Sequence, residues 1–249
     1  MDKQYDVVAL GELLMDMTNN GTSAQGNSLY EANPGGAPCN VLSMLQKLGK
    51  KTAFIGKVGD DLFGRELRSV IEEVGIDSCG LITDPQARTT LAFVRNFEDG
   101  DRDFSFYRNP GADILLQTEE IPKKMLQQTR IFHFGTLSMT HEPVRSATIH
   151  ALELAKKSNA LISFDPNIRE PLWDDMEQAR RAVYTGLYYC DILKISDNEI
   201  EWLTGVKNHT EGVRRIYEKY PIPLITVSRG RMDPGDGVIG PFWGTWMEL

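Results

Sequence analysis

Two glycine-rich segments near the N-terminus combine residue types that could hold a small polyhydroxylated ligand. Gly35 and Gly36 come directly before a helical pattern whose first turn contains Asn40, and a further glycine-rich stretch follows one helix later, at 56–64. Glycine has no Cβ, so the backbone there can approach a ligand closely. An asparagine amide can donate to and accept from hydroxyl groups. These features predict a site for a small polyhydroxylated ligand at this strand-to-helix junction.

Further polar side chains follow predicted strands. Asp16 comes shortly after the first strand, and Asp165, Asn167 and Arg169 follow the fourth. In open parallel sheets ligands bind beyond the carboxyl ends of the strands. A carboxylate accepts hydroxyl groups, and a guanidinium fork suits hydroxyls or phosphate. Taken alone, Asp16 is better explained as a solvated loop residue. The turn at 165–169 could be a local side-chain turn with a surface arginine, but its pattern is moderately specific and its position at a strand end favours a site.

Asn198 and Glu201 open a predicted helix and are three residues apart, on one helix face. Such a pair can hold a hydrated Mg²⁺, because magnesium keeps several waters and takes few protein ligands. The same spacing is typical of a helix capping box, with Ser196 or Asp197 as the cap. Residue chemistry alone favours the capping box.

Several other patterns are set aside. His133 lies within an apolar run and is interpreted as a core histidine. The glycines at 235–240 match a dinucleotide fingerprint by letter, but no strand ends directly before them and Pro241 opposes a following helix. The chain also has no Walker-type phosphate loop, which excludes a P-loop kinase.

Composition narrows the functional classes. The 249 residues are 41% hydrophobic and 25% charged, with a formal net charge of −8. This balance indicates a globular protein and argues against nucleic acid or a membrane as a partner. Three scattered cysteines suit a reducing compartment. No signal-peptide pattern or membrane-length apolar run occurs, so we expect a soluble cytoplasmic protein, with an organellar location left open.

Short apolar runs alternate with helical periodicity along most of the chain, which predicts an α/β fold with a parallel sheet covered by helices on both faces. The segments 89–97 and 102–108 alternate in polarity around an acidic turn, which predicts a hairpin and a candidate lid. Strands are predicted at 6–10, 52–58, 130–134, 161–164, 191–195 and 224–227, and helices at 39–48, 62–74, 144–157, 176–187, 198–203 and 211–220.

The motifs, taken in order, resemble those of the PfkB (ribokinase-like) carbohydrate kinases, and within them the bacterial and plant fructokinases. The resemblance runs from about residue 6 to about residue 227 and depends on several separate motifs in the right order. The segments that carry it are 11–16, 32–40, 53–64, 87–94, 106–113, 132–135, 165–169 and 194–199.

The resemblance implies a ribokinase-like, Rossmann-type α/β domain over 1–228, with a β lid from about 12–34 and 88–109. It implies ATP and Mg²⁺ as cofactors, phosphorylation of D-fructose to fructose 6-phosphate, and a homodimer formed through the lid. By matching positions, it implies sugar binding by Asp16, Gly35, Gly36, Asn40, Arg108 and Arg169, a magnesium–phosphate role for Asn198 and Glu201, with Glu201 acting through water, and nucleotide binding by Ser228.

One departure from the family pattern concerns the catalytic base. The family's second signature, Gly-Ala-Gly-Asp, does not occur in these residues. Its aspartate takes the proton from the sugar hydroxyl. We therefore expect a C-terminally truncated domain with an irregular, out-of-family tail at 229–249, lacking kinase activity unless Asp236 serves as the base. A kinase for 2-keto-3-deoxygluconate and a non-catalytic sugar-binding protein remain alternatives.

Overall fold

A computed structural model describes residues 3–96 and 102–229. The strands and α-helices in chain order are β1 (Tyr5–Leu10), β2 (Leu14–Thr22), β3 (Ser28–Gly35), α1 (Ala37–Lys47), β4 (Thr52–Gly59), α2 (Leu62–Val74), β5 (Asp77–Asp84), β6 (Leu91–Asn96), β7 (Arg102–Tyr107), α3 (Lys123–Gln127), β8 (Thr129–Gly135), α4 (Val144–Lys157), β9 (Leu161–Asp165), α5 (Met176–Tyr189), β10 (Ile192–Ser196), α6 (Asp197–Thr204), α7 (His209–Lys219) and β11 (Leu224–Ser228).

The central sheet has seven strands in the order β11-β10-β9-β8-β1-β4-β5. Every neighbouring pair in it is parallel. Six of these strands coincide with the predicted ones, and the α/β fold class is confirmed. Strand β5 was missed because its sequence, Asp-Ser-Cys-Gly-Leu-Ile-Thr-Asp, is mostly polar or glycine and has no continuous apolar run.

Both faces of the central sheet are covered by helices, as the apolar strands require. Within β1, Val8 and Leu10 face a larger apolar cluster packed by α4 and α5. Val7 and Ala9 face a smaller cluster packed by α1 and α2. In the larger cluster the rings of Phe134 and Phe164, on neighbouring strands, stack with centroids 4.6 Å apart. The alternation within one strand thus separates two cores.

A second sheet of four strands, in the order β3-β2-β6-β7, stands apart from the central one. We call it the lid. Strands β6 and β7 pair antiparallel, which confirms the predicted hairpin, and β2 and β3 form a second antiparallel pair. The two hairpins join through parallel pairing of β2 with β6. The turn at 98–101 and the tail from residue 230, which includes Asp236, lie outside the described residues.

His133 and the length of the helices both bear on predictions made from the sequence. His133 is buried in β8, where its Nδ1 lies 3.0 Å from the hydroxyl of Ser163. Burial lowers the pKa of His133 to about 4, which confirms it as a neutral core histidine. Within residues 3–96 and 102–229, no helix combines the length and apolar character needed to cross a membrane.

Candidate active site

A cavity of about 400 Å³ lies between the carboxyl edge of the central sheet and the lid. Four predicted sugar-binding residues, Asp16, Gly36, Asn40 and Arg169, line it together despite their separation in sequence. The complete lining is Glu12, Leu14, Asp16, Thr18, Asn33, Gly36, Ala37, Asn40, Val94, Phe104, Phe106, Leu137, Asp165, Asn167 and Arg169.

The pleat of the lid strands decides which lid side chains reach the cavity. Successive side chains of a strand point to opposite faces, so Asp16 and Thr18 of β2 face inward together. Asn33 of β3 lies directly opposite Asp16 in the antiparallel ladder. Phe104 and Phe106 of β7 reach the same face, and their rings are stacked with centroids 6.0 Å apart. The lid thus contributes both polar groups and an apolar cover.

Gly35 and Gly36 have different physical roles at the junction between β3 and α1. Gly36 has φ 122°, in a region that favours glycine, and a Cβ there would collide with the carbonyl oxygen of Glu12. Gly35 is not among the lining residues. A Cβ at Gly35 would occupy the place of the Asp16 carboxylate, so this glycine leaves room for the side chain that faces the cavity.

Arg169 bridges the core and the lid. It follows β9 after the short turn through Asn167, whose φ of 43° is one that asparagine tolerates better than most residues. The guanidinium carbon of Arg169 lies 5.3 Å from the centroid of the Phe104 ring. This distance is within the range of a cation–π contact, which ties the strand-end turn of the central sheet to the inner face of the lid.

Arg108, predicted to reach the substrate, is placed outside the cavity lining. Its side chain is buried at the root of the lid, where Nε donates to Asp113 at 2.7 Å. Its terminal nitrogens donate to the hydroxyl of Thr140 at 3.1 Å and to the carbonyl of Leu137 at 2.9 Å. Asp113 also accepts from the hydroxyl of Thr90 at 2.5 Å. With its donors satisfied in this way, Arg108 anchors the lid to the core.

A second cavity, of about 450 Å³, adjoins the first at the same edge of the sheet, and Asn167 and Arg169 line both. We call the first the sugar-side cavity and the second the phosphate-side cavity. The phosphate-side cavity is lined by Asn167, Ile168, Arg169, Glu170, Met176, Lys194, Ser196, Asp197, Asn198, Glu199, Trp202, Ser228 and Arg229. The predicted Asn198 and Ser228 are therefore part of it.

Glu201 is exposed and is not among the residues that line the phosphate-side cavity. Glu199 takes that place. It forms a capping box with Ser196, accepting from the Ser196 backbone N–H at 2.9 Å, and it also accepts from the N–H of Ile168 at 2.9 Å. The predicted capping box exists, but it is formed two residues earlier than the Asn198–Glu201 pair, because Ser196 is the residue at the cap.

Two carboxyl groups of the sugar-side cavity have raised pKa values because they are buried. Burial raises the pKa of Glu12 to about 7 and that of Asp165 to about 6. Asp165 lies 3.2 Å from the ammonium nitrogen of Lys194, which lines the phosphate-side cavity. This ion pair therefore connects the two cavities.

Several lining residues were not singled out from the sequence: Glu12, Asn33, Lys194 and Glu199. Glu12 comes two residues after the end of β1, so the strand-end argument that indicated Asp16 applies to it equally. Asn33 had no signal of its own, because only its pairing opposite Asp16 brings it to the cavity. Lys194 and Glu199 lie inside the motif at 194–199 that was noted, from which only Asn198 was singled out.

The phosphate-side cavity fits a nucleotide phosphate with a hydrated divalent ion. Lys194, Arg169 and Arg229 supply positive charge there, and Asn198 and Glu199 supply oxygen atoms. Within residues 3–96 and 102–229, no cluster of three or more His, Cys, Asp or Glu side chains could enclose a metal. Mg²⁺ usually keeps several waters and binds through phosphates with one or two carboxylates, so this donor set suits it.

With this geometry established, the class of the protein follows from comparison with known families. The profile of the pfkB family of carbohydrate kinases matches residues 4–232, and the chain belongs to that family. Among curated relatives, a probable fructokinase-2 of Arabidopsis thaliana is 45% identical over 208 residues, which cover 83% of this chain and 63% of the relative. Fructokinase-1 of Zea mays is 41% identical over 229 residues, covering 90% and 70%.

Solved structures give the same result. A fructokinase from Xylella fastidiosa superposes with a TM-score of 0.81 at 30% identity, covering 90% of this chain and 70% of that one. A structure of the Xylella fastidiosa enzyme with bound ATP has a TM-score of 0.81 at 29% identity, covering 90% and 72%. A double mutant of the Vibrio cholerae O395 fructokinase, with bound fructose, ADP and potassium, has a TM-score of 0.80 at 31% identity, covering 91% and 71%. The chain spans about 63% of the Arabidopsis relative's length.

Proposed function

We propose that this chain provides the sugar-binding site of an ATP-dependent kinase that converts D-fructose to fructose 6-phosphate. The observation that carries the proposal is the convergence of Asp16, Asn40 and Arg169 on one cavity beneath two lid phenylalanines. Solved fructokinases of the same fold support the choice of sugar, one of them with fructose and ADP bound.

The groups lining the sugar-side cavity suit a neutral polyol. Glu12, Asp16 and Asp165 are carboxyl groups that can accept sugar hydroxyls, and Arg169 is the one cationic residue among the described lining residues. Asn33 and Asn40 can both donate and accept. A sugar acid such as 2-keto-3-deoxygluconate would place its carboxylate in this acidic lining, where like charges repel. The lining therefore favours fructose over that alternative.

In phosphoryl transfer the residues of the sugar-side cavity would bind the sugar, and those of the phosphate-side cavity would bind the phosphates. Asp16, Asn40 and Arg169 orient the sugar, and Phe104 and Phe106 exclude water from above it. ATP supplies the phosphoryl group when bound, and Mg²⁺ neutralises charge on its phosphates. We propose that Lys194, Asn198, Glu199 and Ser228 hold the phosphates and the hydrated ion on the neighbouring side.

For the polypeptide 1–249 by itself we propose sugar binding without measurable turnover. Its sequence contains no Gly-Ala-Gly-Asp, and Asp236 lies outside the described residues. A missing general base lowers the rate by about 10²–10⁴-fold. A coupled assay for ADP formation with fructose tests this directly, since turnover typical of a sugar kinase would show that another acid of this chain acts as the base.

We also propose that the outer face of the lid mediates self-association. Tyr30 and Tyr107 are exposed there, and their rings lie 5.2 and 5.1 Å from the ring of Phe93 between them. Exposed aromatic clusters commonly mark interaction surfaces. Sedimentation velocity should show a concentration-dependent dimer that a Tyr107→Ser substitution weakens, whereas a monomer at all concentrations would refute this assignment.

The main proposal is tested by calorimetric titration of 1–249 with D-fructose, D-glucose and 2-keto-3-deoxygluconate. We expect saturable binding of fructose and markedly weaker binding of the other two. Asp16→Ala should weaken fructose binding by about 10- to 100-fold, while an exposed-surface control, Glu218→Ala, should leave it unchanged. Equal affinity for all three compounds, or tighter binding of the sugar acid, would reject fructose as the substrate.

A further inference from the structure

Glu12 is a buried carboxyl group at the crossing between the core and the lid. It lies between β1 and β2, its side chain is only 4% exposed, and it lines the sugar-side cavity. One of its carboxyl oxygens, Oε1, accepts from the backbone N–H of Ala37 at 2.8 Å. Ala37 is the first residue of α1. The Glu12 side chain is therefore bonded to the helix that carries Asn40.

Helix α1 needs this bond because it has no cap of its own. The first N–H groups of a helix have no partners within the helix and are usually satisfied by a side chain at the N-cap. The N-cap of α1 is Gly36, which has no side chain, and no cap hydrogen bond is made from that position. Glu12 supplies the acceptor from 25 residues earlier in the chain. A negative charge there also interacts favourably with the helix dipole.

The backbone of Glu12 constrains the same turn. The carbonyl oxygen of Glu12 occupies the place where a Cβ on Gly36 would lie. Its side chain and its main chain thus contact consecutive residues, Ala37 and Gly36. Within the first turn of α1, the N–H of Asn40 donates to the carbonyl of Gly36 at 3.0 Å. Displacing Gly36 would therefore move Asn40 as well.

We propose that Glu12 is a positioning residue for sugar binding, which caps α1 from outside the helix and holds Gly36 and Asn40 where they meet the sugar. The inference deepens the proposed function and rests on it for the identity of the ligand. It assigns to Glu12 a role through Ala37 that does not require direct contact with the sugar.

Burial, and to a smaller extent the charges around Glu12, determine how this cap responds to pH. Cys39 faces it from α1, and Arg108 and Asp113 face it from the root of the lid. Asp16, Asp165 and Arg169 share the cavity lining. Because burial raises the pKa of Glu12 to about 7, the cap changes from an acid to a carboxylate near neutrality. An ionised acceptor makes the stronger hydrogen bond, so sugar affinity should rise with pH across this range.

The test is calorimetric titration of D-fructose into the wild-type chain, Glu12→Gln and Glu12→Leu at about pH 6.5 and 8. Wild-type affinity should be about three- to tenfold higher at the upper pH. Glu12→Gln keeps an acceptor for Ala37 but does not titrate, so it should bind within about threefold of wild type at pH 6.5 and lose this pH difference. Glu12→Leu removes the acceptor and should bind at least about tenfold more weakly at both pH values.

A matched control separates capping at the cavity from general destabilisation. Asp191 also accepts from a backbone N–H, that of Ile162 at 2.8 Å, but near the amino ends of the strands, away from the cavity. Asp191→Asn should lower the thermal midpoint and leave fructose affinity and its pH profile unchanged. If Glu12→Leu bound fructose as tightly as wild type, or if Glu12→Gln retained the full pH difference, Glu12 would not be the positioning group.

A measurement on the sugar-free protein tests the capping role of Glu12 independently of which sugar binds. In ¹⁵N–¹H spectra the Ala37 amide resonance should titrate with a midpoint near the pKa of Glu12 in the wild type and stay fixed in Glu12→Gln. If fructose fails to bind but Ala37 titrates in this way, the proposed substrate is wrong and the capping role stands. If the Ala37 resonance does not respond to pH in the wild type, the capping role is refuted whatever the sugar result.

Discussion

The sugar-side and phosphate-side cavities lie at the same edge of one sheet and share Asn167 and Arg169, yet they are built differently. The sugar-side cavity is enclosed by the core below and the lid above. Its surrounding side chains are held by buried bonds, such as those of Glu12 and Arg108. The phosphate-side cavity lies beside β10, α6 and the end of β11, with half-exposed ionic groups such as Lys194.

The charge of the two linings differs as their proposed ligands differ. The described lining of the sugar-side cavity has three carboxyl groups and one guanidinium, whereas the phosphate-side lining has three cationic residues, Lys194, Arg169 and Arg229, and three acidic ones. Hydroxyl recognition needs acceptors in fixed positions, and phosphate recognition needs cations. Substitutions in the sugar-side cavity should therefore weaken binding by displacing groups that must be held in fixed positions. Substitutions in the phosphate-side cavity should weaken binding by changing its charge.

The largest effect is expected at the anchor of the lid. Arg108→Met would leave the buried carboxylate of Asp113 without its cationic partner, and breaking a buried pair in this way costs about 3–5 kcal/mol of stability. Urea denaturation measures this. The double substitution Arg108→Met/Asp113→Leu should recover part of the loss, because no unpaired charge is then buried. A loss below about 1 kcal/mol for Arg108→Met would show that the sugar side is not held by this anchor.

A smaller but more specific effect separates the two cavities by binding. Asp16→Ala should weaken fructose binding by about 10- to 100-fold, the equivalent of losing a charged hydrogen-bond acceptor. Asn198→Ala, at the phosphate-side cavity, should change fructose affinity by less than about twofold and should instead weaken the binding of ATP. Calorimetric titrations of both variants with fructose and with ATP provide the comparison. If Asp16→Ala and Asn198→Ala lost equal affinity for each ligand, the two cavities would not be functionally distinct.

The pH dependence of stability should also reveal the buried carboxyl groups of the sugar side. Glu12 has a pKa of about 7 in the folded protein against an ordinary value of 4.5. Between these values the folded chain keeps a proton that the unfolded chain loses, so the free energy of unfolding falls as pH rises. Asp165 acts in the same direction up to about pH 6. His133, whose pKa is lowered to about 4, acts in the opposite direction below about pH 6.5, because there the unfolded chain holds the extra proton.

We therefore expect the protein to be about 1–3 kcal/mol less stable at pH 8 than near pH 5, by chemical denaturation. Glu12→Gln should reduce this difference. The difference in the free energy of unfolding between the wild type and Glu12→Gln separates the contribution of Glu12 from that of His133. If the wild type gained stability relative to Glu12→Gln as pH rises, Glu12 would be stabilised as a carboxylate in the fold. We expect the affinity for fructose to rise with pH while the free energy of unfolding falls. Both results together would show that the ionised Glu12 that favours sugar binding also destabilises the folded protein.

The smallest effect is expected for the ion pair between the cavities. Lys194 is 46% exposed, and exposed pairs contribute little, about 0–1 kcal/mol. Lys194→Met should thus hardly change the denaturation midpoint near neutral pH. Because the ammonium group lowers the pKa of Asp165, its removal should raise that pKa, which a pH titration followed by carboxyl infrared bands can detect. No change in that pKa would show that the two side chains are not paired in solution.

The sequence was most informative about polar side chains that come directly after a buried strand. The parallel sheet, and the convergence of Asp16, Asn40 and Arg169, could be predicted because parallel strands bring their carboxyl ends to one edge. Arg108 was placed in the substrate site because its motif resembles that of the family. Sequence alone does not reveal that Asp113, Thr140 and Leu137 take up its donors, since that depends on how the lid root packs against the core.

Other residues were missed for a related reason. Strands β2 and β3 contain Asn, Gly and Pro, which have low strand propensity, so the pairing that brings Asn33 to the cavity could not be predicted. Glu201 was chosen because, with Asn198, it matches the position of the family's magnesium–phosphate motif, and Glu199 was not considered. Which of the two lines the cavity depends on which residue caps that helix, and with Ser196 as the cap it is Glu199.

The most direct test of the account is a crystal structure of residues 1–249 with D-fructose. We expect that structure to show one sugar in the sugar-side cavity. Its hydroxyl groups should bond to Asp16 and Asn40, with Arg169 beside it and the rings of Phe104 and Phe106 above it. The phosphate-side cavity should hold no sugar. A fructose molecule bound among Lys194, Asn198 and Ser228, or one that leaves Asp16 and Asn40 without contact, would contradict the assignment of the two cavities.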